Sequence, residues 1–204
     1  MREDIKAVAW DFDGVLNRNM ADGRFVWADS IEADLGIKLD HFQSGVFDQR
    51  FLDVIRGRVD ILDHLQDWLD ETDYRITAPD LLSYWFVKDD LQDPMTGALL
   101  QKLNARGVLQ VIATNNESRR AGYIEDVSGF RKAISYVFSS GRLGVVKPER
   151  AFFDCISTSL SVQPEHMLLI DDNASNVRSA RALGWNTYHF TDETRDGLAD
   201  YLGL

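Results

Sequence analysis

The chain has 204 residues, of which 45% are hydrophobic and 27% are charged, so a folded core is expected rather than a disordered chain. A formal net charge of −11 argues against a nucleic-acid-binding protein, because such proteins normally carry a basic face. A single cysteine excludes an internal disulfide and a cysteine-rich zinc site. No apolar run approaches the roughly 18 residues of a membrane span and no signal-peptide core follows the charged N-terminus, so we expect a cytoplasmic protein without membrane contact.

Short apolar runs along the chain predict buried β-strands, with helical patterns between most of them. The spacing of apolar residues predicts a helix over residues 96–106 and another over 174–183, and Gly107 and Gly184 follow as C-terminal caps. Alternating strands and helices indicate an α/β fold, a doubly wound parallel sheet with helices on both faces. The five predicted strands are 7–10, 109–114, 133–140, 167–171 and 186–190.

Residues 18–93 break this alternation. Apolar residues recur there at helical spacing, most clearly over 59–71, and no convincing strand is predicted. We therefore expect a catalytic core built from residues 1–17 and 94–204, with an α-helical cap inserted over residues 18–93.

Polar side chains stand at the end of almost every predicted strand. Because the C-terminal ends of parallel strands share one edge of the sheet, these side chains are expected to meet in one crevice. They are Asp11, Asp13, Thr114, Asn115, Lys147, Asp171, Asp172 and Asn176.

Four carboxylates in one crevice repel each other unless protons or a metal ion intervene. Carboxylate and carbonyl oxygens suit Mg²⁺, and a carboxylate held beside that ion can attack a phosphorus centre. A lysine and a threonine hydroxyl would bind the phosphoryl oxygens. Asp13 points the same way as Asp11 in extended geometry, where it could protonate a leaving oxygen and then activate water.

Each motif alone also has a purely structural interpretation. An Asp-Gly pair such as Asp13-Gly14 often marks a turn, and the residues after Thr114 could simply cap a helix. Lys147 before a proline could be a solvated lysine, and the acidic pair at 171–172 could favour a helix N-terminus. The order and context of all four motifs favour chemistry over these alternatives.

In that order, the stretches DFDGVL, VIATNN, GVVKPE and LLIDDNASNV resemble the four motifs of the haloacid dehalogenase-like (HAD) hydrolase superfamily. The resemblance covers nearly the whole chain outside 18–93 and implies a Rossmann-like core. The position of the insertion resembles the subgroup with a helical cap. The ending of the fourth motif, with Asn176, is similar to the branch of sugar-phosphate phosphatases and the phosphatase domain of soluble epoxide hydrolases.

The resemblance implies a role for each matching position. Asp11 would be the nucleophile that becomes phosphorylated, and Asp13 would be the general acid and base. Thr114 and Lys147 would bind the phosphoryl group, with the amide of Asn115 nearby.

The same resemblance implies a Mg²⁺ site. Asp172 would be the principal ligand from the fourth motif, with Asp171 binding directly or through water. Asp11 would contribute its carboxylate and Asp13 its backbone carbonyl, while Asn176 would support the site or start the following helix. The expected activity is a Mg²⁺-dependent phosphatase that acts on a small phosphorylated metabolite through an aspartyl phosphate, as a monomer or homodimer.

Other functions stay open on the sequence. A phosphomutase would share every catalytic residue, and only the cap could distinguish it. A 2-haloacid dehalogenase also uses a nucleophilic aspartate but needs neither Mg²⁺ nor an acid at Asp13. A signalling receiver domain has its acidic residues in another order, and a silent binding protein would not need every catalytic position filled.

Several residues of the predicted cap carry chemistry that could select the substrate. Surface charge or packing within the cap is the alternative interpretation for each of them. They are Trp27, Arg50, Arg56, Arg58 and Trp85.

Overall fold

The computed structural model describes residues 4–21 and 24–204, and its centre is a five-stranded parallel sheet. The strands of the described chain are β1 (Ala7–Trp10), β2 (Met20–Ala21), β3 (Arg24–Phe25), β4 (Leu109–Thr114), β5 (Tyr136–Ser139), β6 (Met167–Asp171) and β7 (Asn186–His189). The sheet has the order β5–β4–β1–β6–β7, and each neighbouring pair is parallel. The predicted doubly wound α/β fold is therefore confirmed.

Helices lie between the strands and fill the region before β4. They are α1 (Ile31–Leu35), α2 (Leu39–Val46), α3 (Phe51–Ile55), α4 (Ile61–Asp70), α5 (Ala78–Asp89), α6 (Pro94–Ala105), α7 (Ser118–Asp126), α8 (Ser140–Leu143), α9 (Arg150–Leu160), α10 (Ala174–Ala182) and α11 (Leu198–Tyr201). Among the described residues, no helix combines the length and the apolar character that crossing a membrane requires.

The inner strands are mainly apolar because helices cover both faces of the sheet. Side chains of β1 alternate between these faces: Val8 and Trp10 pack into one hydrophobic cluster, and Ala7 and Ala9 pack into another. A strand that is buried on both faces has a nearly continuous run of apolar residues. The positions of these strands could therefore be predicted from the sequence.

Element ends differ from the predictions where side chains cap a helix or end a strand. Helix α6 begins at Pro94, two residues before the predicted start, because the Asp93 carboxylate accepts hydrogen bonds from the backbone amides of Met95 and Thr96. The predicted strand over 133–140 is shorter, since Ser140 already begins α8.

The expectation of no strand within residues 18–93 was wrong. Strands β2 and β3 form an antiparallel hairpin, with Met20 paired to Phe25 and Ala21 paired to Arg24. Strands of two residues are too short to show an alternating apolar pattern, so the sequence gives no signal for them.

Helices α1 to α5 form a layer that we call the helical insertion (residues 26–89). It has a hydrophobic cluster of its own, with Phe42, Val54, Leu65 and Leu81 fully buried. Its aromatic rings pack mostly edge to face, a favourable arrangement for ring quadrupoles. The insertion therefore has a hydrophobic core that is distinct from the two clusters on the faces of the sheet.

The two segments that connect the helical insertion to the sheet run side by side. The backbone amide of Arg18 donates to the carbonyl of Leu91 at 2.7 Å, and the amide of Asp93 donates to the carbonyl of Leu16 at 2.8 Å. The Asn17 side-chain amide donates to the Asp89 carbonyl at 2.6 Å. These bonds hold the segment that leads into the insertion beside the segment that leads out of it, directly after the first motif.

Candidate active site

The site lies at the C-terminal ends of the neighbouring strands β1, β4 and β6. Trp10 is in register with Ile112 of β4 and with Ile170 of β6. The residues that follow, Asp11 and Asp171, therefore emerge side by side at one edge of the sheet. Both are buried.

The Lys147 ammonium lies between these two carboxylates. Its Nζ is 2.9 Å from Asp11 Oδ1 and 2.7 Å from Asp171 Oδ2, and the lysine itself is almost fully buried. The backbone amide of Phe12 donates a further hydrogen bond to Asp11 Oδ1 at 2.7 Å. One cation therefore compensates part of the charge of two carboxylates that water hardly reaches.

Asn115 fixes the backbone on which Lys147 sits. The amide of Lys147 donates to Asn115 Oδ1 at 2.8 Å, and Asn115 Nδ2 donates to the carbonyl of Lys147 at 2.9 Å. The Asn115 side chain thus acts on the lysine loop, whereas Thr114 contributes a buried hydroxyl at the end of β4.

Asn176 and the start of α10 support Asp171. Asn176 Nδ2 lies 3.0 and 3.2 Å from the two carboxylate oxygens of Asp171, and the backbone amide of Asn173 donates to Asp171 Oδ1 at 2.9 Å. Asn173 also caps α10, accepting from the amide of Ser175. Asp171 therefore accepts bonds on both oxygens and holds one orientation.

Two asparagines that the sequence analysis did not single out hold the side chain of Asp13. Asn19 Nδ2 donates to Asp13 Oδ1 at 2.7 Å, and Asn116 Nδ2 donates to Asp13 Oδ2 at 2.8 Å. Asn116 also lies 2.7 Å from the hydroxyl of Thr114. The repeated asparagine in VIATNN was the available signal for Asn116; Asn19 lies in an irregular segment whose spacing predicts nothing.

The electrostatics of the site follow from burial. Burial raises the pKa of Asp11 well above its usual range, the carboxylate of Asp171 raises it further, and the Lys147 ammonium opposes them. Burial and the carboxylate of Asp171 raise the pKa of Asp172 to about 6. Burial alone would lower the pKa of Lys147, but the carboxylates of Asp11 and Asp171 raise it overall, so this lysine stays charged.

Three carboxylates fit a divalent cation. One oxygen each from Asp11, Asp171 and Asp172 lie within 4.8 Å of one another. Gly14, at φ +78°, allows the close approach of Asp172, since a Cβ on Gly14 would lie 2.4 Å from Asp172 Oδ2. Hard oxygen donors in this number suit Mg²⁺, and a cation there would relieve the repulsion that raises the pKa values of Asp11 and Asp172.

The predicted substrate-selecting residues of the insertion fall into two groups. Trp27 is buried and stacks on Trp85 at 4.9 Å between ring centroids, and Trp85 lines a cavity that Asp13 also lines. The arginines are engaged in ion pairs with protein carboxylates: Arg50 with Asp48, Arg58 with Asp53 and Arg56 with Glu149. Trp85 is the member of the set that lies beside the site.

A model of the haloacid dehalogenase-like hydrolase family matches residues 5–184 of this chain. Among solved structures, a HAD family enzyme from Bacteroides thetaiotaomicron in complex with magnesium is similar, with a TM-score of 0.76, 19% identity and coverage of 96% of this chain and 98% of that chain. The L-2-haloacid dehalogenase from Xanthobacter autotrophicus has a TM-score of 0.67, with 19% identity over 98% and 82% of the two chains. At this level of identity, the similarity shows that both structures have the same fold as this chain.

Two curated relatives match parts of the chain. Drimenol cyclase from Aspergillus calidoustus is 35% identical over 109 residues, which is 50% of this chain and 20% of that protein. Acyl-CoA dehydrogenase family member 10 from Mus musculus is 29% identical over 96 residues, which is 47% of this chain and 9% of that protein. The chain thus corresponds to a small part of each of these relatives.

The central role of Lys147 is testable through stability. Lys147→Met leaves Asp11 and Asp171 buried without their cation, and we expect a loss of about 3–5 kcal/mol in the free energy of unfolding at pH 8. Without the ammonium, burial keeps the pKa of Asp11 high, so protonation of this carboxyl at pH 5 should reduce the loss. Urea unfolding in EDTA at both pH values measures it.

Lys102→Met, at an exposed position of α6, is the matched control and should change stability by less than about 0.5 kcal/mol. An equal loss at pH 5 and pH 8 would show that the lysine stabilises the fold by packing rather than by charge.

Proposed function

Since this chain belongs to the haloacid dehalogenase-like hydrolase family, we propose that it is a Mg²⁺-dependent phosphatase that hydrolyses a small phosphorylated metabolite. The observation that carries the proposal is the cluster of three carboxylates from Asp11, Asp171 and Asp172, in which one oxygen of each lies within 4.8 Å of the others. All three carboxylates can be ionised together when a cation binds them. A phosphoryl group brings further negative charge, which the same cation would neutralise.

In the proposed reaction, Asp11 is the nucleophile. Its carboxylate oxygen attacks phosphorus, the bond from phosphorus to the ester oxygen breaks, and an aspartyl phosphate forms on Asp11. Lys147, with Nζ 2.9 Å from Asp11 Oδ1, and the Thr114 hydroxyl stabilise charge on the phosphoryl oxygens. When bound, Mg²⁺ would supply charge neutralisation at the carboxylates of Asp11 and Asp172, with Asp171 binding directly or through water.

Asp13 moves the protons in this scheme. Its carboxyl gives a proton to the departing alkoxide, and in the second step it takes one from the water that attacks the aspartyl phosphate. The bonds from Asn19 and Asn116 hold both Asp13 oxygens in place for these transfers. Hydrolysis restores Asp11 and releases inorganic phosphate.

The alternatives make different demands on the same residues. A haloacid dehalogenase attacks carbon and has no need of a proton donor at Asp13 or of the clustered carboxylates of Asp171 and Asp172. The two asparagines that orient Asp13 therefore favour phosphoryl transfer. A phosphomutase would use every residue of the scheme, and it is distinguished by transferring the phosphoryl group of the intermediate to a second hydroxyl instead of water.

We expect turnover of nitrophenyl phosphate that stops on addition of EDTA and returns with excess Mg²⁺. Asp11→Asn should abolish turnover while the protein stays folded, because the amide has almost the same shape and is a poor nucleophile. Steady-state rates and circular dichroism measure these effects. Asp154→Asn, an exposed position on α9, is the control and should keep full activity. Full activity of the wild-type protein in metal-free buffer would contradict the proposed dependence on Mg²⁺.

Asp13→Asn separates proton transfer from metal binding. We expect a rate lower by about 10²–10⁴-fold for alkyl phosphates with little change in Mg²⁺ affinity. With nitrophenyl phosphate, the leaving group departs without a proton, but water attack on the intermediate still needs a base. Stopped-flow absorbance should therefore show a burst of nitrophenolate followed by slow turnover. Complete rescue by high Mg²⁺ with no burst would mean that Asp13 acts through the metal instead.

A further inference from the structure

A small cavity lies between Asp13 and the helical insertion. Its volume is about 30 Å³, and Asp13 and Asn116 line it from the side of the sheet. The hairpin and the helices α3, α4 and α5 supply its apolar lining, which consists of Phe25, Phe51, Ile55, Ile61, Trp85 and Phe86.

The charged side chains in the lining form ion pairs and hydrogen bonds with other groups of the protein. Arg120 Nη2 is 2.9 Å from Asp89 Oδ2, and its Nη1 donates to the carbonyl of Phe86 at 3.1 Å. The guanidinium also lies over the rings of Phe12 and Phe86, at 5.6 and 5.0 Å from their centroids.

The remaining carboxylates of the lining are also engaged. Glu117 accepts from the backbone amides of Arg119 and Arg120 at the start of α7. Asp89 accepts from Asn19 Nδ2 at 2.8 Å in addition to its ion pair. The charges around the cavity therefore hold the insertion to the core, and the surface that faces the cavity is mainly aliphatic and aromatic.

The position of Asp13 determines which part of a substrate reaches this cavity. In the proposed function, on which this inference rests, the ester oxygen must lie within hydrogen-bond reach of the Asp13 carboxyl. Because Asp13 itself lines the cavity, a carbon chain attached to that oxygen can enter the apolar lining directly. A hydroxyl placed there without a partner would weaken binding roughly five- to hundredfold.

We propose that the substrate is the phosphate monoester of a short apolar alcohol, whose hydrocarbon chain fills this cavity. A water molecule needs about 10–15 Å³ of such space, so the cavity of about 30 Å³ holds roughly two to three groups of that size. With one or two further carbons in its mouth at Asp13, it suits a chain of roughly three to five carbons. This differs from the sugar phosphates that the resemblance of the fourth motif suggested.

A matched pair of substrates tests the proposal. Propyl phosphate and glycerol 3-phosphate have the same three-carbon chain and differ by two hydroxyls. With Mg²⁺ present, we expect kcat/KM to be at least tenfold higher for propyl phosphate. In the series from methyl to octyl phosphate, kcat/KM should rise about fourfold for each added CH₂ up to four or five carbons and then stop rising.

Ile55→Ala and Leu52→Ala provide the matched variants. Both lie on α3, but Ile55 lines the cavity and Leu52 is 52% exposed. Ile55→Ala should move the optimum of the series to longer chains by one or two carbons, whereas Leu52→Ala should leave the series unchanged. An unmoved optimum in Ile55→Ala would contradict the assignment of the cavity.

Acetyl phosphate separates failure of this proposal from failure of the phosphatase proposal, because its small, reactive leaving group needs neither a pocket nor a proton. Mg²⁺-dependent hydrolysis of acetyl phosphate together with equal kcat/KM for propyl and glycerol phosphates would overturn the apolar assignment alone. No hydrolysis of acetyl phosphate by folded protein would overturn the phosphatase proposal and this inference with it.

Discussion

The ammonium of Lys147, shared between Asp11 and Asp171, is the interaction on which the rest of the site depends. Two buried carboxylates at adjacent strand ends would repel each other and favour protonation, and protonated Asp11 is no nucleophile. One lysine compensates part of this charge. The third carboxylate, Asp172, leaves an excess of negative charge that a divalent cation can bind. The proposed metal binding and the proposed phosphoryl chemistry therefore both depend on this excess of negative charge.

The fold places these charged side chains close to one another. Parallel register brings Asp11 and Asp171 to the same level, and the Asn115 side chain fixes the loop that carries Lys147. The paired segments around residues 16–19 and 89–93 bring the helical insertion back to the first motif. Asn19 connects the first motif to the end of the helical insertion, since its side-chain amide donates to both Asp13 and Asp89. The group proposed to move protons is thereby tied to the end of the insertion that lines the substrate cavity.

The sequence predicted the sheet and its polar edge because strands covered on both faces are mainly apolar runs, and because most of these runs are followed by carboxylate, amide, hydroxyl or ammonium side chains. It could not predict the bond from Asn116 to Asp13, since the two residues are 103 positions apart along the chain. Asn19 is near Asp13 in sequence but lies in an irregular segment, where asparagines are common and spacing predicts nothing. The β2–β3 hairpin was missed because it has two residues in each strand. The cavity depends on side chains from the hairpin, three helices of the insertion and the core, so only their packing defines it.

A crystal structure with Mg²⁺ and beryllium fluoride, a mimic of a phosphoryl group attached to a carboxylate, tests the central claim most directly. The account predicts beryllium bonded to the carboxylate of Asp11, its fluorides beside Lys147 and Thr114, and Mg²⁺ bound between Asp11 and Asp172. The same experiment on Asp11→Asn should show no beryllium fluoride. Beryllium fluoride attached to another carboxylate, or Mg²⁺ bound away from Asp11 and Asp172 in the wild-type crystal, would contradict it.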